Sequence, residues 1–357
     1  MDVSQMYLGL ACAPFLMPNT TRHWLEQVPD VTYLWRADIQ ELQSLIPQYS
    51  YKLEKWCLWR RSIEIEKIEE KLQKQNIGFI CKVSRDYPMR LLNLSSPPIW
   101  LFYQGNKKLL NQKNVGVVGT RRASPYGLEA CRWISGVLSF AHITVVSGMA
   151  LGIDGEAHQA ALQGPGKTIA VLASGLNISY PVTHSSLQKK ISEEGLCVSE
   201  YAPNVRVKKY QFIERNRILA ALSESLIVVQ AGHHSGALTT AELALNLGRE
   251  VYAVPGPITS VHCQGSNQLL YDGAKPLIHP EEFLLEMGIE KNKSNLHSLP
   301  ENWKILLQQL EEPLGIDELM RILRWPKESI YAILLETELS GWVERLPGGR
   351  FIRKNIQ

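Results

Sequence analysis

The stretch that decides the fold reads Val115-Gly-Val-Val-Gly-Thr-Arg-Arg122. A short apolar run that ends at a glycine is typical of a buried strand. Similar runs recur downstream and alternate with stretches of helical character. The predicted strands cover residues 115–118, 143–146, 168–172, 196–198, 226–229 and 251–254. Because strands that alternate with helices form parallel sheets, the sequence predicts an α/β fold with a Rossmann-like, doubly wound, mostly parallel sheet.

The segments on either side of this region have different patterns. Apolar and aromatic residues spaced three and four apart predict helices, and we assign residues 1–80 to a helical domain of the SAM or helix-hairpin-helix kind. The Rossmann-like domain is expected over residues 81–288. A polar stretch without apolar periodicity predicts a linker at residues 289–300. Three short helices followed by a hairpin at Pro347-Gly-Gly349 predict a winged-helix domain over residues 301–357.

Composition narrows the class of protein. The chain has 357 residues, of which 45% are hydrophobic and 20% charged, as in a soluble globular protein and unlike a disordered one. No apolar run approaches the ~20 residues that cross a bilayer, and the N-terminus lacks the basic start of a signal peptide. The 6 cysteines are scattered and form no dense disulfide framework. We therefore expect a cytoplasmic protein without a membrane partner.

Polar residues and glycines mark the carboxyl ends of the predicted strands, where open parallel sheets bind ligands. Glycines let the backbone approach a ligand closely, and helix N-termini present N–H groups to phosphate. Each strand end alone is a routine turn or helix cap, but as a set they predict a phosphate-bearing ligand. The ends read Gly119-Thr-Arg-Arg122, Ser147-Gly148, Ser174-Gly175, Gly232-His-His-Ser-Gly236 and Pro255-Gly256.

The charge distribution points to one local basic cluster. The formal net charge is only +3, so a basic binding surface has to be local. Such a cluster lies at residues 206–217, where only Glu214 opposes five basic residues. A basic stretch alone is equally consistent with solvated surface, but Tyr210 and Phe212 add aromatic faces, which favours a flexible single strand over a duplex. The basic residues are Arg206, Lys208, Lys209, Arg215 and Arg217.

Other kinds of site find less support in the sequence. A dinucleotide site is disfavoured because the third glycine of G-x-G-x-x-G is missing after Gly119, and there is no P-loop. Asp154 and His158 are four residues apart and could hold a metal from one helix face, but helix capping and packing are the favoured explanation. We predict no catalytic residue, no metal and no cofactor.

At these same positions the sequence resembles the DNA processing protein A family (DprA, also called Smf). The resemblance covers roughly residues 85–280 and implies an extended Rossmann fold that forms a homodimer and binds single-stranded DNA. It further implies that the protein protects incoming strands in natural transformation and helps to load the RecA recombinase, without catalytic turnover. The shared motifs are Val118-Gly-Thr-Arg-Arg-Ala-Ser-Pro-Tyr-Gly127, Ser147-Gly-Met-Ala-Leu-Gly-Ile-Asp-Gly-Glu-Ala-His158, Ser174-Gly-Leu-Asn-Ile-Ser-Tyr-Pro181, Ser199-Glu-Tyr-Ala-Pro203, Arg215-Asn-Arg-Ile-Leu-Ala-Ala-Leu-Ser223, Ser235-Gly-Ala-Leu-Thr-Thr-Ala241, Val254-Pro-Gly256 and Gly265-Ser-Asn267.

The resemblance also implies roles for individual residues. The DNA-binding arginine of the family falls on Arg121 and its binding lysine on Lys209, and residues 215–217 would line the same groove. One departure is Gln211-Phe-Ile213, where the family has His-Phe-Pro, and it affects the loop that holds the lysine. The predicted residues for binding single-stranded DNA are Gly119, Thr120, Arg121, Arg122, Ser147, Gly148, Lys209, Phe212, Arg215, Asn216, Arg217, Ser235, Gly236 and Thr239.

Two alternatives stay open at this point. The stretch Ser235-Gly-Ala-Leu-Thr-Thr-Ala-Glu242 is distantly similar to a motif of Rossmann phosphoribohydrolases, in which case Glu242 would be catalytic and a nucleoside monophosphate would release its base. Such an enzyme needs a small enclosed site, whereas a basic stretch remote from that loop favours a polymer. A nucleotide sensor, with a mononucleotide in the strand-end crevice and DNA in the basic groove, is the third possibility.

The predicted recognition helix of the winged-helix domain is poorly suited to duplex DNA. Over residues 327–339 it carries Lys327 against Glu328, Glu336 and Glu338. Carboxylates repel phosphates, so this region predicts a protein-contact or regulatory role.

Overall fold

The structure is a computed structural model that describes residues 1–289, 300–339 and 342–353. By its internal contacts the chain divides into two units, Met1–Pro280 and Glu281–Gln357. The domain boundaries expected at residues 80 and 288 stay predictions. The expected linker at residues 289–300 lies outside the described residues, apart from its first and last residue.

A sheet of nine strands, counted within the described residues, forms the centre of the first unit. The strands are β1 (Gly78–Cys81), β2 (Trp100–Gly105), β3 (Asn114–Gly119), β4 (Thr144–Ser147), β5 (Thr168–Val171), β6 (Leu196–Ser199), β7 (Ser225–Gln230), β8 (Glu250–Ala253) and β9 (Lys275–Pro276). Their order across the sheet is β1-β2-β6-β5-β4-β3-β7-β8-β9. β3 to β9 pair in parallel, and β2 is antiparallel to both β1 and β6. The predicted doubly wound, mostly parallel α/β sheet is thus confirmed.

Helices cover the sheet and build the N-terminal region. Those of the N-terminal region are α1 (Val3–Cys12), α2 (Pro18–Gln27), α3 (Val31–Arg36), α4 (Ile39–Leu45), α5 (Ser50–Ser62) and α6 (Ile65–Lys74). Those that follow the sheet strands are α7 (Pro125–Phe140), α8 (Ile153–Ala161), α9 (Ser185–Glu194), α10 (Lys209–Leu222), α11 (Gly236–Asn246) and α12 (Gln264–Tyr271). A further helix, α13 (Pro280–Glu286), begins at the boundary between the two units. Short 3-10 turns occupy Pro47–Tyr49, Met89–Asn93, Lys107–Asn111 and Val182–His184.

Local sequence explains where these elements begin. β4 to β7 are buried along their whole length, as expected for strands covered by helices on both faces. At the start of α7, the Ser124 hydroxyl accepts a hydrogen bond from the Gly127 amide, and Pro125 occupies the first turn, where its missing N–H costs nothing. The N-terminus of α11 is capped in the same way, since the Ser235 hydroxyl accepts a hydrogen bond from the Ala237 amide.

The strand order reverses between β3 and β7, which positions the functional site. The chain runs outward from β3 through β4, β5 and β6, then returns to place β7 on the other side of β3. Loops diverge on opposite faces at such a switch point and leave a crevice beyond the carboxyl ends of the strands.

The N-terminal helices pack directly on the sheet. Trp24 and Trp56 are fully buried, and they belong to one apolar cluster with Phe102 of β2 and Leu172, directly after β5. The indole of Trp56 donates a hydrogen bond of 2.8 Å to the carbonyl oxygen of Leu34, which satisfies its buried N–H. These aromatic rings are therefore core residues.

The second unit has winged-helix architecture in its described part. Its helices are α14 (Glu301–Gln309), α15 (Ile316–Leu323) and α16 (Lys327–Leu339), and its strands are β10 (Leu314–Gly315), β11 (Val343–Leu346) and β12 (Arg350–Arg353), in the order β10-β12-β11. Leu306, Leu319 and Ile330 form a core with Phe351. The winged helix predicted from the sequence is confirmed. Across the described ranges, no helix has both the length and the apolar character needed to cross a bilayer.

Candidate nucleic-acid interface

An open groove lies at the switch point between β3 and β7. Its volume is about 740 Å³, and α10 forms one wall. The loops that follow β3 and β7 and the start of α11 supply most of the rest, and Ala150, Asp154 and Tyr180 complete the lining. The predicted site residues found in its lining are Gly119, Thr120, Arg121, Arg122, Lys209, Phe212, Arg215, Asn216, Ser235, Gly236 and Thr239.

Three predicted site residues are not in this lining. Ser147 is buried, and its hydroxyl donates a 2.6 Å hydrogen bond to the carbonyl oxygen of Val117. Gly148 lines a small cavity of about 50 Å³ beside the groove. Arg217 faces away and pairs with Glu200. These residues shape the surroundings of the groove.

Exposed cations line the groove next to an aromatic ring. Arg121, Arg122 and Lys209 are exposed, and none has an ion-pair partner among the described residues. The Arg121 guanidinium lies 4.8 Å from the centroid of the Phe212 ring, a cation–π contact. The Tyr180 ring lies 5.5 Å from the same ring. The groove thus offers free positive charge beside a pair of aromatic faces.

The floor of the groove carries a buried arginine and a buried carboxyl. The Arg215 guanidinium donates hydrogen bonds to the carbonyl oxygens of Gly148 and Val171. Burial lowers the pKa of Arg215 to about 10, and the nearby Asp154 works against that shift, so the side chain is charged at neutral pH. Burial raises the pKa of Asp154, and Arg215 opposes that shift. Arg215 therefore ties α10 to the loop after β4 and to the last residue of β5, and it adds positive potential beneath the groove.

Backbone amides complete the lining. The loop after β3 lies close to α8 and β7, since a Cβ at Gly119 would stand 2.5 Å from Ile153 Cγ1 and 2.9 Å from the Gln230 carbonyl oxygen. The amide of Thr120 donates to that same oxygen at 2.7 Å. On the other side, α11 begins at Gly236, and Ser235, Gly236 and Thr239 line the groove, so the positive end of the helix dipole lies beside it.

Of the residues weighed above for an enzyme or a metal site, Asp154 lines the groove, whereas Glu242 and His158 do not. Glu242 is exposed and is not part of the groove lining. His158 is buried, with its Nδ1 2.7 Å from the Thr168 hydroxyl, which is the packing role favoured for it above. Within the described ranges no three histidine, cysteine or carboxylate side chains cluster as metal ligands.

Sequence reasoning missed Tyr180 as a groove residue. Its ring lines both the groove and the small cavity beside it. It lies in the motif that ends at Pro181, well after β5, so its distance along the chain from the strand end concealed it. An aromatic residue beside a proline in a loop that follows a parallel strand was the available signal.

Comparison with known proteins identifies the family of this chain. The sequence model described as DNA recombination-mediator protein A matches residues 78–288, and the model described as DprA winged helix domain matches residues 298–349. The chain belongs to the DprA family. Protein Smf of Escherichia coli, a family relative, is 37% identical over 295 residues, which are 78% of each chain.

Two solved DprA structures share the fold. The protein from Streptococcus pneumoniae superposes with a TM-score of 0.68 at 30% identity and covers 80% of this chain and 99% of its own. The protein from Helicobacter pylori superposes with a TM-score of 0.54 at 30% identity, covering 59% of this chain and 95% of its own. The latter structure is described in terms of a single-stranded DNA binding mode.

Proposed function

We propose that this chain binds single-stranded DNA in the groove and acts as a recombination mediator, not as an enzyme. One observation carries the proposal: three exposed cations without acid partners in the described chain stand in an open groove beside the Phe212 ring. Arg121, Arg122 and Lys209 would bind phosphates, together with the amides at the start of α11. Bases would stack on the aromatic ring, which tolerates any sequence.

The aromatic ring favours a single strand over a duplex. In a duplex the base faces are stacked on each other, so the Phe212 ring could meet only sugar and phosphate. A single strand can turn a base onto the ring while its phosphates follow the cations. The DprA relative from Helicobacter pylori, described as binding single-stranded DNA, supports this choice.

The proposal includes the partners that the family resemblance implies. We propose a cytoplasmic homodimer, formed through the Rossmann-like domain, that protects incoming strands in natural transformation and helps to load RecA. The family description as a recombination mediator supports this role. The phosphoribohydrolase alternative is disfavoured because Glu242 lies outside the groove, and because a groove of about 740 Å³ open to solvent does not enclose a mononucleotide.

The test is a binding measurement with labelled oligonucleotides. Fluorescence anisotropy at several salt concentrations compares single strands and duplexes of equal length. We expect tighter binding of the single strand, with an affinity that falls steeply as salt rises. Lys209→Ala should weaken it, and Lys190→Ala, which removes an exposed lysine of α9 outside the groove lining, should not. Equal affinity for both DNA forms, or equal effects of both substitutions, would contradict the proposal.

The mediator role needs a second assay. RecA filament formation on single strands is followed by ATP hydrolysis, with and without this protein. We expect a shorter lag with the wild type and no shortening with Lys209→Ala. An unchanged lag with a protein that binds single strands would leave a DNA-binding protein that is not a RecA mediator.

A further inference from the structure

A chain of polar contacts, buried at Glu200, links the N-terminal helices to α10. Glu200, which follows β6, is 2% exposed and forms ion pairs with Arg22 of α2, at 3.1 Å, and with Arg217 of α10. Arg22 also donates 2.7 Å to the side-chain oxygen of Asn19, whose amide donates 2.7 Å to a carboxylate oxygen of Glu214 on α10. We call these five residues the Glu200 network. It meets α10 at two positions three residues apart.

The two ion pairs of Glu200 are shielded from water, which restricts the positions that their side chains can take. The side chains of Arg22 and Arg217 are only 15% and 11% exposed. Charges removed from water must keep their partners, so the two guanidinium groups and the carboxylate hold one another in place. Arg217 further donates 2.7 Å to the Ser96 carbonyl oxygen, in the loop before β2. These contacts therefore join four segments of the first unit: α2, the loop before β2, the residue after β6 and α10.

The network and the groove use different faces of the same helix. Lys209, Phe212 and Asn216 line the groove, and spacings of three and four residues place them on one face of α10. Glu214 and Arg217 lie on another face and reach the network. A contact that sets the rotation of α10 on one face therefore sets where the groove residues stand on the other.

We propose that Arg22 is a positioning residue for the DNA groove. From the N-terminal helices it holds α10 through Glu200 and so sets the affinity for single-stranded DNA without touching the DNA. The inference rests on the proposed function of the groove. It also assigns Arg217, which the sequence placed among the DNA contacts, to the positioning of α10.

The experiment compares three substitutions by anisotropy with a labelled single strand, at a temperature where circular dichroism shows each variant folded. Arg22→Met removes the charge and keeps most of the volume. Arg22→Lys keeps the charge. Arg36→Met removes a charge from an exposed arginine of the same helical region that has no ion-pair partner among the described residues.

The expected result is a raised dissociation constant without a changed salt slope. Couplings carried through packed elements correspond to a rise of about 2- to 30-fold for Arg22→Met. The dependence of the constant on salt stays as in the wild type, because no phosphate contact is lost. Arg22→Lys should lie nearer the wild type, and Arg36→Met should match it.

Two results would overturn the inference. A folded Arg22→Met with the dissociation constant of the wild type would leave the network a purely structural role. A salt slope lower by about 0.7 would mean that Arg22 itself binds a phosphate. If wild type itself fails to bind single strands, the proposed function has failed instead, and the two failures are told apart by the wild-type measurement.

A milder variant covers the case in which Arg22→Met does not fold. Asn19 is exposed, so Asn19→Ala breaks the link to Glu214 without leaving a buried charge unpaired. We expect a smaller rise in the dissociation constant with the same salt slope. An unchanged constant in this variant would count against the network as a positioning device.

Discussion

The groove and the winged-helix unit both belong to architectures that can bind nucleic acid. They differ in the charge of their exposed side chains. In the groove, exposed Arg121 and Lys209 stand beside Phe212, and the acid nearby, Asp154, is buried beneath them. On α16, Lys327 is followed by a glutamate and its ammonium lies over the Tyr331 ring at 6.0 Å. We therefore expect phosphates to bind the first surface more strongly than the second.

The difference shows that architecture alone does not assign DNA binding. A winged helix reads duplex DNA through its recognition helix, and a doubly wound sheet binds ligands at its switch point. In the described part of the chain, the switch point carries exposed cations beside an aromatic ring, whereas α16 carries Lys327 next to Glu328. In α16, Glu336 accepts a hydrogen bond of 3.2 Å from the Trp303 indole, so a carboxylate is part of the local packing. We expect single-strand affinity to reside in the groove.

The largest expected effect comes from removing both cations of the groove. A hydrogen bond to a charged group is worth about 1.5–3 kcal/mol, so Arg121→Ala with Lys209→Ala should weaken binding of a single strand at least about 100-fold. The salt slope should fall by about 1.4, since each phosphate contact on a single strand contributes about 0.7. Anisotropy titrations at four salt concentrations measure both quantities. A loss confined to one of these two quantities would mean that the cations do not contact phosphates directly.

Substitutions of Phe212 distinguish the contribution of base stacking to DNA binding from that of charge. Phe212→Ala should cost about 1–3 kcal/mol of single-strand binding while the salt slope stays the same, because the ring carries no charge. Phe212→Tyr keeps an aromatic face and should bind nearly as the wild type does. If the alanine variant instead shifts the salt slope, the ring acts by holding Arg121 in place and not by stacking on a base.

We expect a buried histidine of the first unit to lower the folding stability of the protein at acidic pH. Burial, together with His184 and Arg215, lowers the pKa of His158 to about 3, so the unfolded chain binds a proton there between pH 3 and about 6.5 and the folded chain does not. Stability from this histidine is present above pH 6.5 and declines as the pH falls, by about 2 kcal/mol between pH 7 and pH 5.

Urea unfolding at pH 7 and pH 5 measures this contribution. His158→Asn should lose less stability on acidification than the wild type does, whatever its stability at pH 7. His142→Asn is the matched control, because His142 is exposed and its positive φ of 59° suits asparagine. Raised pKa values of buried Asp154 and Glu200 act in the opposite sense in all three proteins, so the difference between variants isolates the histidine. Equal acid losses in His158→Asn and wild type would refute the assignment.

The smallest effect is expected on α16. Lys327→Ala should change the dissociation constant for a single strand by less than about twofold, since an exposed substitution away from a binding surface has little energetic effect. The matched comparison is Lys209→Ala, also an exposed lysine at the first turn of a helix. Similar losses of single-strand affinity from both substitutions would contradict the expectation that DNA binds the groove and not α16.

The strands of the sheet were predictable because they are buried on both faces. All six predicted strands overlap β3 to β8, since continuous apolar runs bounded by glycine and polar residues have few other conformations. β2 is not among the predicted strands, because Pro97 and Pro98 precede it and interrupt the apolar pattern, and it joins the sheet by antiparallel pairing. β9 has two residues, too few to show any period.

The sequence by itself determined the doubly wound sheet, the winged helix and the family, because these depend on apolar periodicity and on motifs that lie in order along the chain. Only the tertiary structure decided which polar residues share a surface. Arg215 and Arg217 are two residues apart on α10, yet one forms the floor of the groove and the other pairs with Glu200 on a different face. A helix turns about 100° per residue, so neighbours in sequence meet different surroundings, and the partners that occupy them come from distant parts of the chain.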